Sequence, residues 1–149
     1  MINSIGLIVL GAMGIGMAQS SRRAEHAPFV FDVRSDVAAA AKAMALGLRE
    51  GVDAAALCEV ITHSTGNSRM FEMRMAHVLA ADYTPLPAVD NFVKDLGLVL
   101  DMACASKFPL PLSSTAHQLF MQASTAGFAK EDDSAVIKIS PGIELPKKA

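Results

Sequence analysis

The chain has 149 residues, of which 52% are hydrophobic and 19% charged, a balance that favours one folded core over a disordered polypeptide. Its net charge is -2, and its 13 basic residues are scattered instead of forming the basic face that a phosphate backbone requires. We therefore expect no nucleic acid partner. The two separated cysteines, Cys58 and Cys104, predict neither a disulfide framework nor a metal site.

An apolar run near the start of the sequence, 5–18, has the length of a signal-peptide core. No Lys or Arg precedes it, however, and it contains four glycines. It is also shorter than the roughly 20 apolar residues that a membrane-spanning helix needs. We therefore expect a cytoplasmic protein with no membrane partner.

The first part of the chain predicts one β-α-β unit. Residues 5–10 form a continuous apolar run closed by Gly11, which is typical of a strand buried on both faces of a parallel sheet. A helix is predicted over 13–24 and ends before Pro28. Residues 29–33 are β-branched and aromatic and predict a second strand.

Downstream of the second strand we find only helical patterns. Ser35, Asp53 and Ser68 are candidate N-caps, while Gly51 and Gly127 are candidate stops. The predicted helices are 37–49, 54–63, 69–81, 90–106 and 113–126, followed by a short helix capped by Asp132 or Asp133 and running through Ile139. Helical spacing predicts the core positions Phe92, Leu96, Val99, Leu100 and Ala103, and also Leu112, Ala116, Leu119, Ala123 and Ala126.

These patterns predict a mainly α fold, in which a helical domain follows the small β-α-β unit. We place the β-α-β unit at 1–37, the helical domain at 38–140 and a flexible tail at 141–149.

A glycine turn joins the first strand to the predicted helix. Gly11, Ala12, Met13 and Gly14 lie where free backbone N–H groups can receive the pyrophosphate of a dinucleotide. In the G-x-G-x-x-G pattern the first glycine position is Val9, where positive φ would be disfavoured by about 1–2 kcal/mol. Either the turn is tilted or its binding of a cofactor is weakened. The alternative to a cofactor site is a glycine-rich turn that only packs tightly.

Asp32 ends the second predicted strand, 18 residues after Gly14, where a carboxylate can accept hydrogen bonds from an adenosine ribose. That position favours NAD over its phosphorylated relative. Arg34 lies two residues further on, and a guanidinium can pair with a 2′-phosphate. The phosphorylated cofactor therefore remains an alternative to NAD.

Several stretches of the sequence resemble the NAD-dependent β-hydroxyacid dehydrogenase family, which includes 3-hydroxyisobutyrate, tartronate semialdehyde and L-threonate enzymes. The glycine turn followed by Phe-Asp-Val is similar to the start of these proteins. The later stretches resemble the C-terminal domain of the L-threonate branch: THSTGNS (62–68), DYTPL (82–86), FVKDLGLVLD (92–101), FPLPL (108–112) and EDDSAV (131–136).

This resemblance implies a role for Lys94, because the lysine of the family's Lys-Asp-Leu motif reaches the bound cofactor. The alternative is a helix-stabilising pair with Asp90, worth about 0.3–0.5 kcal/mol, and the two interpretations are compatible. The resemblance also implies a dimer. Open edges of a two-stranded sheet favour self-association as well, through strand 5–10 or the alanine-rich helix, as a homodimer or a higher oligomer.

The family's proton-accepting segment has no counterpart here. In the family most of the nucleotide domain, the substrate loop Asp-Ala-Pro-Val-Ser-Gly-Gly and the segment Gly-x-x-Gly-x-Gly-x-x-x-Lys-x-x-x-Asn lie between the blocks that meet near 37–42. Lys42 follows Asp36 and Ala38 where that segment has glycines, and Leu46 stands in place of its asparagine. We therefore interpret Lys42 as a solvated lysine and assign no catalytic residue.

The resulting hypothesis is a shortened NAD-dependent hydroxyacid dehydrogenase that binds NAD weakly and does not turn over alone, because hydride transfer also needs a proton acceptor. Two alternatives remain. One is an active dehydrogenase completed by a second chain, which would act on a small hydroxyacid. The other is a non-enzymatic helical dimerisation module.

Overall fold

The computed structural model describes the backbone of residues 4–8 and 27–31 and then the chain from Ser35 to Lys148, with side chains from Asp36 onward. Two strands are followed by five α-helices, a π-helical turn and a 3-10 helix. Their bounds are β1 (Ser4–Ile8), β2 (Ala27–Phe31), α1 (Ser35–Arg49), α2 (Ala54–Thr62), α3 (Arg69–Leu79), α4 (Val89–Ser106), α5 (Pro111–Ala123), the π-helical turn (Ser124–Phe128) and the 3-10 helix (Asp133–Ile139).

The two strands pair in parallel, with Ser4 opposite Ala27 and Ile8 opposite Phe31. Both begin earlier than the sequence predicts, and Pro28 lies inside β2 instead of marking its boundary. A parallel pair needs a crossover connection, but the predicted helix over 13–24 lies outside the described residues.

Most helix boundaries agree with the sequence prediction because local capping determines them. Asp53 accepts a hydrogen bond from the Ala56 amide at 2.9 Å, and Ser68 accepts one from the Phe71 amide at 3.0 Å. Gly51 follows α1 at φ 79°, a conformation that glycine adopts without strain.

The last two long helices begin earlier than the sequence predicts, and α5 also ends earlier, at Ala123. Helix α4 starts at Val89 without a side-chain cap, and α5 starts at Pro111, where proline's fixed φ suits the first helical turn. Gly127 does not simply terminate α5, since it lies inside the π-helical turn at φ 99°.

The core lies where α1, α3, α4 and α5 surround the 3-10 helix. Its largest fully buried apolar side chains are Phe92, Phe120, Met44, Met75, Leu96 and Ile137. The rings of Phe92 and Phe120 stack with centroids 4.7 Å apart and join α4 to α5. Burying a large aromatic side chain contributes about 1.5–3 kcal/mol, so this pair anchors the α4–α5 contact.

The helical-spacing prediction of core residues is right for some positions and wrong for others. Phe92, Leu96, Ala103, Ala116 and Ala123 are buried, Val99, Leu100 and Leu119 are partly exposed, and Leu112 and Ala126 are exposed. Leu112, in the first turn of α5, is 74% exposed. Phe120, which the predicted stripe omits, is fully buried.

Residues 141–148 form neither helix nor strand, yet the partly buried side chains of Ile143 and Leu145 pack against the core. None of the helices that the structure describes is long and apolar enough to cross a membrane.

Candidate functional site

Helix α4 carries Lys94, the only candidate cofactor-binding residue that falls within the described part of the chain. Gly11, Ala12, Met13, Gly14 and Asp32 lie outside the described residues. The structure therefore shows the surroundings of Lys94 alone.

The N-terminal amides of α4 are bonded within the protein. Val89 N donates to the Glu131 carbonyl at 2.9 Å, and Asp90 N donates to the Ala129 carbonyl at 3.1 Å. The end of a helix attracts anions mainly through free N–H groups, and these two are occupied. An anionic group near this end of α4 would therefore have to be bound by a side chain.

The Lys94 amine meets that requirement. Its side chain is 57% exposed, and its Nζ lies 3.4 Å from Oδ1 of the buried Asp95. The amine keeps access to solvent and can therefore reach an anion outside the protein. An exposed ammonium fits a phosphate or carboxylate of a dinucleotide or hydroxyacid.

The pair between Lys94 and Asp90 that the sequence suggests is not the ion pair of the structure. Asp90 Oδ1 instead accepts a hydrogen bond from Ser124 Oγ at 2.6 Å. This bond ties the first turn of α4 to the π-helical turn, while Asp95 becomes the acidic partner of Lys94. The observed partner of Asp90 differs from the predicted one because the Ser124 hydroxyl comes from another part of the chain, which residue spacing along α4 cannot reveal.

The backbone beneath Lys94 is attached to α5 at two neighbouring points. Phe92 stacks on Phe120, and His117 Nε2 lies 3.0 Å from the Val93 carbonyl oxygen. A carbonyl can only accept, so the geometry assigns the proton to Nε2 of this imidazole. An exposed amine thus extends from a firmly packed helical turn.

Lys42 is not the solvated lysine that the sequence predicts. Its Nζ donates a hydrogen bond to Ser140 Oγ at 3.0 Å, and partial burial lowers the pKa of the amine. This contact joins α1 to the residue that follows the 3-10 helix. Lys42 therefore has a structural partner here, and the hydrogen bond explains its position without a catalytic role.

A buried polar cluster, which sequence analysis did not single out, lies between α3 and the 3-10 helix. Arg74 Nε is 2.6 Å from Asp133 Oδ1, and both side chains are almost completely inaccessible to solvent. The neighbouring Asp132 accepts hydrogen bonds from the amide and hydroxyl of Ser134 and from the Leu86 amide. The only signal in the sequence was the paired aspartates, interpreted there as candidate caps.

Burial raises the pKa of Asp133 to about 7, and the adjacent Asp132 adds to the rise while Arg74 opposes it. The cluster is enclosed by packed elements. We interpret it as a structural junction because perturbed carboxyl groups also occur in buried ion-pair networks.

A second partly buried cation, Lys138, lies 3.7 Å from the centroid of the Tyr83 ring and also pairs with Glu131. Burial raises the pKa of Tyr83 to about 12, with Glu131 and Asp132 contributing.

Across the described portion of the chain, no three His, Cys, Asp or Glu side chains are arranged to hold a metal ion.

Comparisons with known proteins define the class to which this helical domain belongs. The family model described as "NAD-binding of NADP-dependent 3-hydroxyisobutyrate dehydrogenase" matches residues 33–140. The chain belongs to this family of 3-hydroxyisobutyrate dehydrogenase-type proteins.

Several relatives with high sequence identity to the chain are L-threonate dehydrogenases. The enzyme of Cupriavidus necator is 74% identical over 113 residues, which are 76% of this chain and 38% of that protein. The enzyme of Haemophilus influenzae is 57% identical over 75% of this chain and 37% of its own length. The chain thus spans less than two-fifths of either relative.

The same family is found among solved structures. The 3-hydroxyisobutyrate dehydrogenase of Salmonella typhimurium has 44% sequence identity and a TM-score of 0.70, over 91% of this chain and 52% of that one. A second structure, 3-hydroxyisobutyrate dehydrogenase of Mycobacterium tuberculosis with L-serine, has a TM-score of 0.64 at 22% identity and supports the fold alone. Both agree with the mainly helical architecture.

Proposed function

We propose that this chain is the cofactor-facing helical part of an NAD-dependent hydroxyacid dehydrogenase of the L-threonate type, and that it does not turn over by itself. The observation that carries the proposal is the exposed Lys94 amine on the packed helix α4. The 74% identity to an L-threonate dehydrogenase supports the substrate class.

Lys94 would bind an anionic group of the nucleotide, and α4 would hold the lysine in place while its amine exchanges Asp95 for that group. When bound, NAD would supply the hydride-accepting chemistry that oxidation of an alcohol carbon requires. The alcohol must also lose a proton to an acceptor. Lys42, which lies where the two family-like blocks of sequence meet, instead donates a hydrogen bond to Ser140. This is why we expect binding without turnover.

The first 37 residues would supply the remaining nucleotide contacts as a remnant of a Rossmann-type unit. The parallel pairing of β1 and β2 supports this proposal, because β-α-β units build parallel sheets. Within it, Gly11 to Gly14 would receive the pyrophosphate and Asp32 the ribose. The division at residues 37 and 38, the 141–149 tail as a separate segment and a cytoplasmic location remain predictions.

Fluorescence titration with NADH tests the binding part of the proposal. We expect saturable binding by the unchanged chain and at least about tenfold weaker binding by Lys94→Ala, the loss of roughly 1.4 kcal/mol for a charge-assisted contact. Lys130→Ala removes an exposed lysine outside α4 and is the matched control. A parallel titration with NADPH tests the preference attributed to Asp32. If neither NADH nor NADPH binds saturably, the proposal is overturned.

Incubation with L-threonate and NAD tests the absence of turnover. We expect no increase in absorbance at the wavelength of NADH. Steady NADH production that Lys94→Ala abolishes would instead favour the alternative in which a second copy or another chain completes the active site.

The dimerisation-module alternative has its own supporting observation. Leu98 and Met102 are exposed one turn apart on α4, and Phe108 and Leu112 are exposed at the start of the next segment. Exposed apolar side chains of this size commonly mark contact surfaces. Light scattering of the dilute protein would distinguish a dimer or higher oligomer from a monomer, and a monomer without NADH binding would exclude both functions.

A further inference from the structure

We propose that His117 is a positioning residue for Lys94, holding the peptide group from which the lysine extends. The inference rests on the proposed function of Lys94 in nucleotide binding. It adds a residue on a different helix, α5, to the side chains on which that binding depends.

The geometry of the peptide bond makes the link direct. The Val93 carbonyl and the Lys94 nitrogen belong to one planar group that ends at the Lys94 Cα. His117 Nε2 donates to that carbonyl oxygen at 3.0 Å. A hydrogen bond from α5 therefore restrains the same plane that sets the direction of the lysine side chain.

The surroundings of the imidazole show how closely it packs on α4. Residue 97, one turn after Val93, is a glycine, and a Cβ placed there would lie 3.6 Å from His117 Nε2. The Phe92–Phe120 stack, one residue before Val93, holds the two helices together at this level. The imidazole thus lies in a packed helix contact and bonds to α4 from the side.

Lys94 needs this support because its own side chain is weakly restrained. The side chain is largely exposed, and its ionic contact is the 3.4 Å pair with Asp95. Ordering a lysine side chain costs up to about 2 kcal/mol of conformational entropy. A fixed peptide plane holds the Lys94 Cα and so helps to set the point and direction from which the side chain starts towards a ligand.

The first test measures amide hydrogen exchange in the full chain, without nucleotide. We expect His117→Ala to speed exchange of the Lys94 to Leu98 amides about fivefold, the effect of losing one hydrogen bond, and His117→Gln to restore slow exchange through its side-chain N–H. The matched control is His77→Ala, which removes a similar histidine-to-carbonyl bond, from Nδ1 to Asp82 at 3.0 Å, on α3. Unchanged exchange in His117→Ala would overturn the proposal.

The second test is a double-mutant cycle read by NADH titration. We expect His117→Ala to weaken binding three- to tenfold when Lys94 is present and less than twofold in the Lys94→Ala background, because its effect passes through the lysine. Equal losses in both backgrounds, or failure of His117→Gln to recover affinity, would overturn the positioning role. If the unchanged chain binds no NADH, the function proposed above fails, and the exchange measurement alone decides whether His117 holds the Lys94 peptide.

Discussion

Helix α2 and the 3-10 helix show that the more apolar segment of this protein is the less buried one. Seven of the nine residues of helix α2 are apolar, yet none of its residues is buried. The 3-10 helix contains Asp133 and Ser134, and both are buried along with the three residues that follow. Helix α2 packs mainly on α1 and α3, whereas the 3-10 helix contacts α1, α3, α4 and α5. The number of surrounding elements, more than hydropathy, separates the two segments.

The largest expected difference between the two segments comes from truncating one aliphatic side chain in each. Ile137 in the 3-10 helix is 0% exposed, and Ile137→Ala should lower the free energy of unfolding by about 2–5 kcal/mol because it leaves a cavity. Val60 in α2 is 68% exposed, and Val60→Ala should change it by no more than about 0.5 kcal/mol. Urea denaturation of both variants measures the difference, and equal effects would contradict the contrast between the two segments.

The buried acid of the 3-10 helix should make stability depend on pH. Burial raises the pKa of Asp133 from 3.8 to about 7, so between those values the folded protein binds more protons than the unfolded chain. The stability that protonated Asp133 contributes is therefore complete below about pH 4 and is lost as the pH rises through about 7.

Comparison with Asp133→Asn isolates this contribution. Relative to the variant, the unchanged protein should lose up to about 4 kcal/mol of unfolding free energy across that window, since each unit of pKa shift is worth about 1.36 kcal/mol. Urea denaturation at half-unit pH steps measures the loss. A difference that stays constant with pH, or that grows as the pH rises, would contradict the prediction.

Removing the N-cap should also destabilise the protein more in the 3-10 helix than in α2, with a smaller difference than the side-chain truncations give. Asp132→Ala should cost about 2–3 kcal/mol because it leaves the buried amide and hydroxyl of Ser134 without their acceptor. Asp53→Ala should cost about 1 kcal/mol, as its bond to the Ala56 amide is exposed. Asp53→Asn retains a cap and is the control for charge. Thermal unfolding would rank the stabilities of these variants. A larger loss of stability for Asp53→Ala than for Asp132→Ala would contradict our interpretation of the two caps.

Sequence patterns predicted the helices and many of their ends because those depend on neighbours along the chain. Asp53 and Ser68 cap the helices that follow them, and Gly51 adopts the positive φ expected after α1. Lys94 was identified by resemblance, and the structure shows its amine accessible on α4. The role of Lys94 in binding a cofactor remains a prediction.

The partners of side chains were predicted less well. Lys94 pairs with Asp95 instead of Asp90, and Lys42 contacts Ser140, 98 residues further along the chain. The sequence patterns assign His117 no role, yet its imidazole bonds to the peptide group of the candidate lysine. Each of these contacts depends on which helix lies across from the residue.

The amino-acid sequence alone was sufficient for the helical class of the protein, the starts of α2 and α3 and the family to which the chain belongs. Those properties follow from caps, periodicity and motifs that act over a few residues. The packing of the helices was needed to establish that Asp133 is enclosed with Arg74, that the apolar helix α2 lies outside the core, and that His117 reaches the Lys94 peptide. The reason is that burial and long-range hydrogen bonds depend on how whole elements pack, and local patterns carry no measure of that packing.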